Sequence, residues 1–233
     1  DSMGVKIDES SRVFLGIRKV LDKMSLASGV IPQISVVLGS AVGVASFAVN
    51  FSDFVFMINK KSQMFVNGPQ SIITAEGKEI TAENLGGAEI HSEGSGMCDV
   101  LTNSVEECIK KVKELLDYLP DNNLADIYVT DSDDLNRECD ELNSGIESNK
   151  EVVLTISDEN KFFEIKAEFE KSVVTGFSRI GGRVSGVVAN IEKTLNAKAA
   201  EKIIKFVRFC DAFNIPIVTF VDVEGSKISV DEE

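Results

Sequence analysis

A run of small residues from Gly39 to Gly43 is the place in this sequence where backbone atoms could do chemistry. It follows a β-branched segment and precedes an Ala- and Val-rich one. Small residues let a ligand approach the main chain closely, and N–H groups at a helix start can hold negative charge. Such a nest could stabilise an oxyanion without a catalytic side chain. A glycine turn that only packs a helix on a sheet explains the same residues, so both interpretations stay open.

The side chains offer fewer candidates for chemistry. His91 is the only His, which excludes a site built from several imidazoles. It lies in a predicted Gly- and Ser-rich loop without a visible orienting partner, so a structural role and a catalytic role are both open. No G-x-S-x-G motif supports Ser-His-Asp chemistry. The small-residue run carries neither a P-loop signature nor the G-x-G-x-x-G fingerprint.

Three charged residues stand at predicted strand ends. Asp222 follows the last predicted strand, where ligands often bind in α/β sheets, although it could equally cap that strand. Arg179 and Arg183 flank a predicted hairpin turn and could contact a phosphate or remain exposed charges.

Composition limits the classes of partner. The 233 residues carry a net charge of -14, which argues against nucleic acid and anionic membranes as ligands. The most apolar stretch, residues 29–51, is interrupted by polar residues, Gly and Pro, so a strand, a turn and a buried helix explain it better than a membrane span. The first residues do not resemble a signal peptide. We therefore expect a cytoplasmic protein.

The four cysteines are too sparse for a disulfide scaffold and contain no C-x-x-C pair. Reduced thiols are expected. Cys210 lies within an apolar helical pattern and is predicted to be part of the core.

Hydrophobic periodicity predicts the elements that would position these residues. In the first half these are a helix over Arg12–Lys23, strands over Ile34–Leu38, Phe54–Ile58 and Met64–Val66, a helix from Gly43 to Asn50 and a helix from Ser104 to Leu119. In the second half they are a strand or buried segment over Val152–Ile156, a segment Phe162–Ile165 followed by a helical patch to Lys171, a hairpin of Val173–Ile180 and Val184–Ala189, a helix over Thr194–Phe213 and a strand over Ile215–Val223. The acidic window Asp121–Lys150 is predicted to be a linker between domains, with a surface loop as the alternative.

Many ordered motifs resemble the carboxyltransferase (beta) subunits of biotin-dependent acyl-CoA carboxylases and decarboxylases, of the propionyl-CoA carboxylase type. The motifs are Asp1-Ser2 with Gly4, Gly29–Ser35, Asp53–Met57, Met64–Pro69, Leu85–His91, Ser95-Gly96, Leu115–Pro120, Phe162–Ile165, Gly176–Arg179, Gly182-Arg183, Gly186–Asn190 and Phe206–Asp222. The resemblance covers almost the whole chain.

The resemblance implies an α/β fold made of two crotonase-like domains, each a β-β-α superhelix. The corresponding division here is a partial first domain over 1–120, an acidic linker over 121–150 and a partial second domain over 151–233. The resemblance also implies the reaction: carboxybiotin gives up CO₂, the α-carbon of an acyl-CoA of the acetyl or propionyl type loses a proton, and backbone N–H groups hold the resulting enolate.

Transferred by position, the resemblance assigns the enolate hole to Gly43 and Val44, where the family usually has Gly-Gly. Gly39, Ser40 and Ala41, together with Gly86 and Gly87, are the expected cofactor-binding residues. Biotin is expected on a separate carrier domain or subunit, and no metal is expected on this chain. The implied partners are an acyl-CoA substrate, the biotin carboxyl carrier and biotin carboxylase components, and further copies or subunits in an oligomer.

Family members are considerably longer, so the start of the first domain and the glycine-rich segment of the biotin hole are expected to lie outside this sequence. Carboxyl transfer or its reverse, decarboxylation, is the first functional hypothesis. A catalytically inactive relative with a structural or regulatory role is the second. A crotonase-like hydratase or hydrolase is the third, and it would need catalytic carboxylates beside Gly43.

Overall fold

A computed structural model describes residues 1–5, 7–139, 142 and 148–228. The chain divides into two compact units, Asp1–Lys113 and Glu114–Glu233. The division of domains at residues 120 and 151 stays a prediction.

The first unit is built on a small parallel sheet. Its helices and strands are α1 (Ser10–Ala27), β1 (Ile34–Val37), β2 (Ser40–Val42), α2 (Val44–Asn50), β3 (Phe54–Ile58), β4 (Gln63–Phe65), α3 (Pro69–Glu76), α4 (Ala82–Gly86), a π-helical turn (Ile90–Gly94), β5 (Val100–Thr102) and the start of α5 (Val105–Leu116). Strands β1, β3 and β5 form a parallel sheet in that order. All five residues of β3 are buried, which explains why β3 is a continuous apolar run.

A second parallel pair lies in the same unit. Strand β2 pairs with β4, with Ala41 opposite Met64. Ser2 bridges Ala41 from the other side, so β2 lies between the N-terminal residues and β4. Ala41 and Met64 are buried in one apolar cluster with Val37, Val55 and other core residues. This packing fixes the segment that carries the candidate site.

The second unit is a mixed sheet covered by a helix. Its elements are α6 (Asn149–Ile156), β6 (Phe162–Ile165), β7 (Val173–Ile180), β8 (Arg183–Asn190), β9 (Thr194–Leu195), α7 (Ala197–Ala212), β10 (Ile217–Phe220) and β11 (Gly225–Ser226). The strand order is β10-β8-β7-β6, with β7 and β8 forming the predicted antiparallel hairpin. Phe177 of β7 packs against Phe206 and Phe209 of α7. Cys210 is fully buried, as predicted, and burial raises the pKa of its thiol to about 12.

Several sequence expectations are wrong. Val152–Ile156 is helical, because it forms the end of α6 and buries Val153 against Val187 and Ala189 of β8. The predicted helical patch before Lys171 is a turn, in which Lys166 and Glu170 adopt positive φ angles of 55° and 43°. The predicted loop at His91 is the π-helical turn.

Candidate functional site

Gly43 forms a turn that only glycine accommodates easily. Its φ of 63° and ψ of -125° lie outside the regions open to residues with a Cβ. An added Cβ would meet only the carbonyl oxygen of Val66, at 3.9 Å, so the backbone conformation rather than lack of space demands glycine. The turn places Val44 as the first residue of α2.

The two N–H groups predicted to form the enolate hole differ in their surroundings. The Gly43 N–H donates to the carbonyl oxygen of Phe65 at 3.0 Å, so it extends the pairing of β2 with β4. The Gly43 carbonyl oxygen accepts from the N–H and the hydroxyl of Ser46. Within the described residues, no acceptor is found for the Val44 N–H. Val44 is thus the member of the pair whose N–H is available to a ligand.

Ser40 and Ala41 belong to strand β2, and Gly39 forms the bend before it, so these residues are not a nest of free donors. The Ser40 N–H donates to Asp1 Oδ1 at 3.0 Å, and its carbonyl oxygen accepts from the Ser2 N–H at 2.6 Å. A Cβ on Gly39 would stand 2.8 Å from Asp1 Oδ2, so this glycine admits the Asp1 carboxylate. These contacts hold the N-terminal residues beside β2. The sequence missed β2 because three residues carry no periodicity.

Gly86 lets α4 pack closely on β4, and Gly87 lets the chain leave α4 close to Glu83 of the same helix. A Cβ on Gly86 would lie 2.3 Å from the Met64 carbonyl oxygen, and one on Gly87 would lie 2.6 Å from the Glu83 carbonyl oxygen. Both distances are too short for a side chain. Strand β4 also pairs with β2. The glycines around β2 and the glycines at the end of α4 therefore both lie beside β4.

His91 cross-links the π-helical turn to β4. Its Nε2 lies 2.6 Å from the Met64 carbonyl oxygen, and its Nδ1 lies 2.9 Å from the Ser95 hydroxyl. A carbonyl oxygen can only accept, so Nε2 carries a proton and donates it. Both ring nitrogens are engaged, which favours the structural interpretation over the catalytic one.

An apolar cavity of about 350 Å³ adjoins Val44. Its described lining residues are Ser2, Gly4, Val5, Glu9, Val13, Ile17, Val20, Leu21, Val42, Val44, Ala45 and Ala48. Helix α1 supplies one wall and the start of α2 another. The sequence pattern identified the apolar stripe of α1 but not that it faces a cavity. Val13, Ile17 and Leu21 are only half-buried.

The charged candidates of the second unit are engaged within it. The Arg179 guanidinium lies over the Tyr118 ring, 4.9 Å from its centroid, and donates to the Asp117 carbonyl oxygen. Both main-chain groups of Asp222 bond to the Asn190 side chain, and its carboxylate pairs with Lys193. These contacts support structural roles for both residues.

The buried Asp158 shows how local polar contacts shape the hairpin. Its carboxylate accepts from the N–H groups of Gly181 at 3.2 Å and Gly182 at 2.6 Å, and it lies 3.7 Å from the Arg137 guanidinium. Asp158, Tyr118 and Arg179 line a polar cavity of about 450 Å³ together with Asp117, Thr130, Asp131, Glu159 and Lys161. No spacing pattern in the sequence indicated this cluster.

The described residues provide neither a cluster of metal ligands nor a membrane-spanning helix. Over the described ranges, no group of three or more His, Cys, Asp and Glu side chains is arranged to hold a metal ion. None of the helices in the described part of the chain is both long and apolar enough to cross a membrane.

Comparisons with known proteins cover the whole chain. The family model described as "Carboxyl transferase domain" matches residues 1–233. Methylmalonyl-CoA decarboxylase subunit alpha of Veillonella parvula is 38% identical over 245 residues, which cover 100% of this chain and 48% of that protein. Propionyl-CoA carboxylase beta chain of Cereibacter sphaeroides is 40% identical over 237 residues, covering 97% of this chain and 46% of that protein. The chain therefore spans about half the length of these relatives.

A solved structure confirms the fold class. Transcarboxylase 12S, determined as a hexamer with hydrolysed methylmalonyl-coenzyme A bound, matches with a TM-score of 0.94 at 33% identity. The match covers 100% of this chain and 48% of that one. The α/β, crotonase-like fold expected from the sequence is confirmed, and so is the resemblance on which that expectation rested.

Proposed function

Because this chain belongs to the carboxyl transferase domain family, we propose that it is a carboxyltransferase component that moves a carboxyl group between carboxybiotin and an acyl-CoA. The observation that carries the proposal is the position of Val44: its N–H lacks a protein acceptor among the described residues and adjoins an apolar cavity. The substrate, the partners and the direction of the reaction belong to the proposal, since the chain spans about half of its relatives.

We assign the Val44 N–H to the thioester oxygen of the acyl-CoA. Loss of the α-proton places negative charge on this oxygen, so a fixed donor stabilises the enolate more than the thioester. The surrounding apolar side chains reduce the local dielectric and strengthen that hydrogen bond. Gly43 holds the turn, and its own N–H keeps β2 on β4.

The side chain of Val44 does not block this role by itself. An N–H donor requires only the backbone, and the isopropyl group lies in the wall of the cavity. Ser46 braces the turn through its hydroxyl, which lies 2.6 Å from the Gly43 carbonyl oxygen.

Carboxybiotin, when bound, supplies the carboxyl group. The described residues after Asp222 do not fit a hole for it, because they turn back onto β9: the Glu224 N–H donates to the Lys193 carbonyl oxygen, and the Lys227 N–H to that of Leu195. We therefore assign none of the described residues after Asp222 to biotin. The proposed partners are a biotin carboxyl carrier, a biotin carboxylase component and further subunits in an oligomer.

The decarboxylase direction is the second candidate. It is favoured by the similarity to methylmalonyl-CoA decarboxylase subunit alpha over the full chain. The same enolate would form when a carboxylated acyl-CoA loses its carboxyl group, so Val44 would serve both directions.

The test is an assay of malonyl-CoA and methylmalonyl-CoA decarboxylation with free biotin, performed on the purified chain and on the chain with its partner subunits. Turnover that falls at least tenfold in a Val44→Pro variant, which lacks the N–H, supports the proposal. A matched control variant, Ala197→Pro, removes the N–H from the first residue of another helix, α7, at an exposed position and should keep the wild-type turnover. No turnover in any combination would leave the inactive relative as the better hypothesis.

A further inference from the structure

The cavity beside Val44 is larger than a two- or three-carbon acyl group requires. The volume of one methylene group is similar to that of one water molecule in the liquid, ~30 Å³. A cavity of about 350 Å³ therefore has room for several additional carbons, even with part of it open to solvent. Its size also falls in the range of small-molecule pockets, about 300–1,000 Å³.

Helix α1 forms a long wall of the cavity. This wall runs from Val13 to Leu21 with apolar side chains on one face, which at 1.5 Å per residue spans about 12 Å. The opposing wall is formed by Val44, Ala45 and Ala48, and the small side chains of the two alanines leave the space open.

The polarity of the lining selects the chemistry of the occupant. Among the described lining residues, Ser2, Gly4 and Glu9 are the ones that are not Val, Ile, Leu or Ala. Such a surface offers little to a polar or carboxylated tail and stabilises hydrocarbon in proportion to the apolar area removed from water. Val44 belongs both to this lining and to the proposed enolate site, so the cavity continues from the reacting end of the substrate.

We propose that the cavity binds the hydrocarbon tail of a straight-chain acyl-CoA of about six to eight carbons, which at ~30 Å³ per carbon fills between half and two-thirds of the volume and leaves the open part to solvent. This inference rests on the proposed function and specifies its substrate class. Acetyl and propionyl groups would leave most of the cavity without contacts.

The test is the affinity of the full chain for acetyl-, propionyl-, butyryl-, hexanoyl- and octanoyl-CoA, measured by isothermal titration calorimetry below the micellar concentration. Each methylene buried between propionyl and hexanoyl should tighten binding about fourfold, the equivalent of about 0.8 kcal/mol. Affinities that do not change with chain length would overturn the inference.

Two substitutions locate the tail. Ala48→Leu fills the cavity and should reduce the ratio of octanoyl-CoA to acetyl-CoA affinity at least tenfold. The matched control Ala200→Leu, at an exposed position of α7, should keep the wild-type ratio. An unchanged ratio in Ala48→Leu would place the tail elsewhere and contradict the inference.

The outcomes also separate this inference from the proposed function. If acetyl-CoA binds and longer chains bind no better, only the chain-length inference fails. If none of the thioesters binds, both proposals fail.

Discussion

Lys202 provides a quantitative test of how a buried charge is held in the second unit. Its side chain is 2% exposed, and Nζ donates to the carbonyl oxygens of Phe169, Glu170 and Val173 at 2.7, 3.2 and 2.8 Å. Phe169 and Glu170 belong to the turn between β6 and β7, and Val173 is the first residue of β7. Lys202→Met removes all three hydrogen bonds while keeping a side chain of similar length.

The expected change in the free energy of unfolding is the sum of two opposing effects. The Phe169 and Val173 carbonyl groups lose a donor, at about 1–3 kcal/mol each. The Glu170 carbonyl oxygen is only partly buried and still accepts from the Val173 N–H at 3.4 Å. Burial lowers the pKa of Lys202 from 10.5 to about 8. Removing the buried ammonium therefore relieves about 3 kcal/mol, at about 1.4 kcal/mol per pKa unit. We expect Lys202→Met to reduce the free energy of unfolding by about 1 kcal/mol at pH 7, because a mid-range loss of about 4 kcal/mol for the two carbonyls slightly exceeds this relief.

The pH dependence gives the sign of the charge effect. Because the unfolded lysine holds its proton more tightly, the penalty on the folded wild type is complete below pH 8 and disappears as pH rises toward 10.5. The penalty is about 3 kcal/mol at pH 7 and about 1 kcal/mol at pH 9.5 by the linkage relation. The wild type should therefore gain about 2 kcal/mol over Lys202→Met between these pH values.

The assay is urea unfolding of both proteins at pH 7 and 9.5, followed by circular dichroism. Lys198→Met, at an exposed position of the same helix, should show neither the loss nor the pH-dependent gain. A difference between wild type and Lys202→Met that is constant or that shrinks with rising pH would refute the reasoning. It would mean that the three carbonyl oxygens stabilise the ammonium more than burial destabilises it.

Three further outcomes are expected. Gly43→Ala should lower the free energy of unfolding by about 1–3 kcal/mol in urea titrations, because a Cβ strains the turn; unchanged stability would contradict the required backbone conformation. Asp158→Asn should lower the free energy of unfolding by about 1–3 kcal/mol in the same measurement, because the hairpin N–H groups lose a charged acceptor. An unchanged urea midpoint would contradict a stabilising role for the Asp158 carboxylate. A chromogenic disulfide reagent should label one thiol quickly in the native chain, the half-buried Cys139, and four in denaturant, since the other three, Cys210 among them, are buried. Rapid labelling of a second thiol would disprove this.

The elements that the sequence predicted well are those whose burial is uniform. Phe54–Ile58 is a strand with every residue buried, so its apolar run has one interpretation by length and composition. The hairpin of β7 and β8 was predicted through its Gly181-Gly182 turn. Val152–Ile156 was misjudged because its β-branched residues are equally compatible with a short helix packed on a sheet.

The site was predicted in part. The sequence identified the turn at Gly43, whose positive φ requires glycine. It could not reveal that the Gly43 N–H is taken by Phe65, because that bond depends on the pairing of β2 with β4. The cavity beside Val44 was hidden for a similar reason, since an apolar stripe has the same periodicity whether it faces a core or an open space.

The bonds of His91 tie β4 to a segment 27 residues further along the chain. Its Nε2 donates to the Met64 carbonyl oxygen, and the Ser95 hydroxyl holds the other ring nitrogen at 2.9 Å. A ring bonded at both nitrogens cannot rotate without breaking one of these bonds. Strand β4 in turn holds the Gly43 N–H through the Phe65 carbonyl oxygen. A substitution at His91 therefore acts on the position of the Val44 N–H through β4, although His91 is not among the described residues that line the cavity beside Val44.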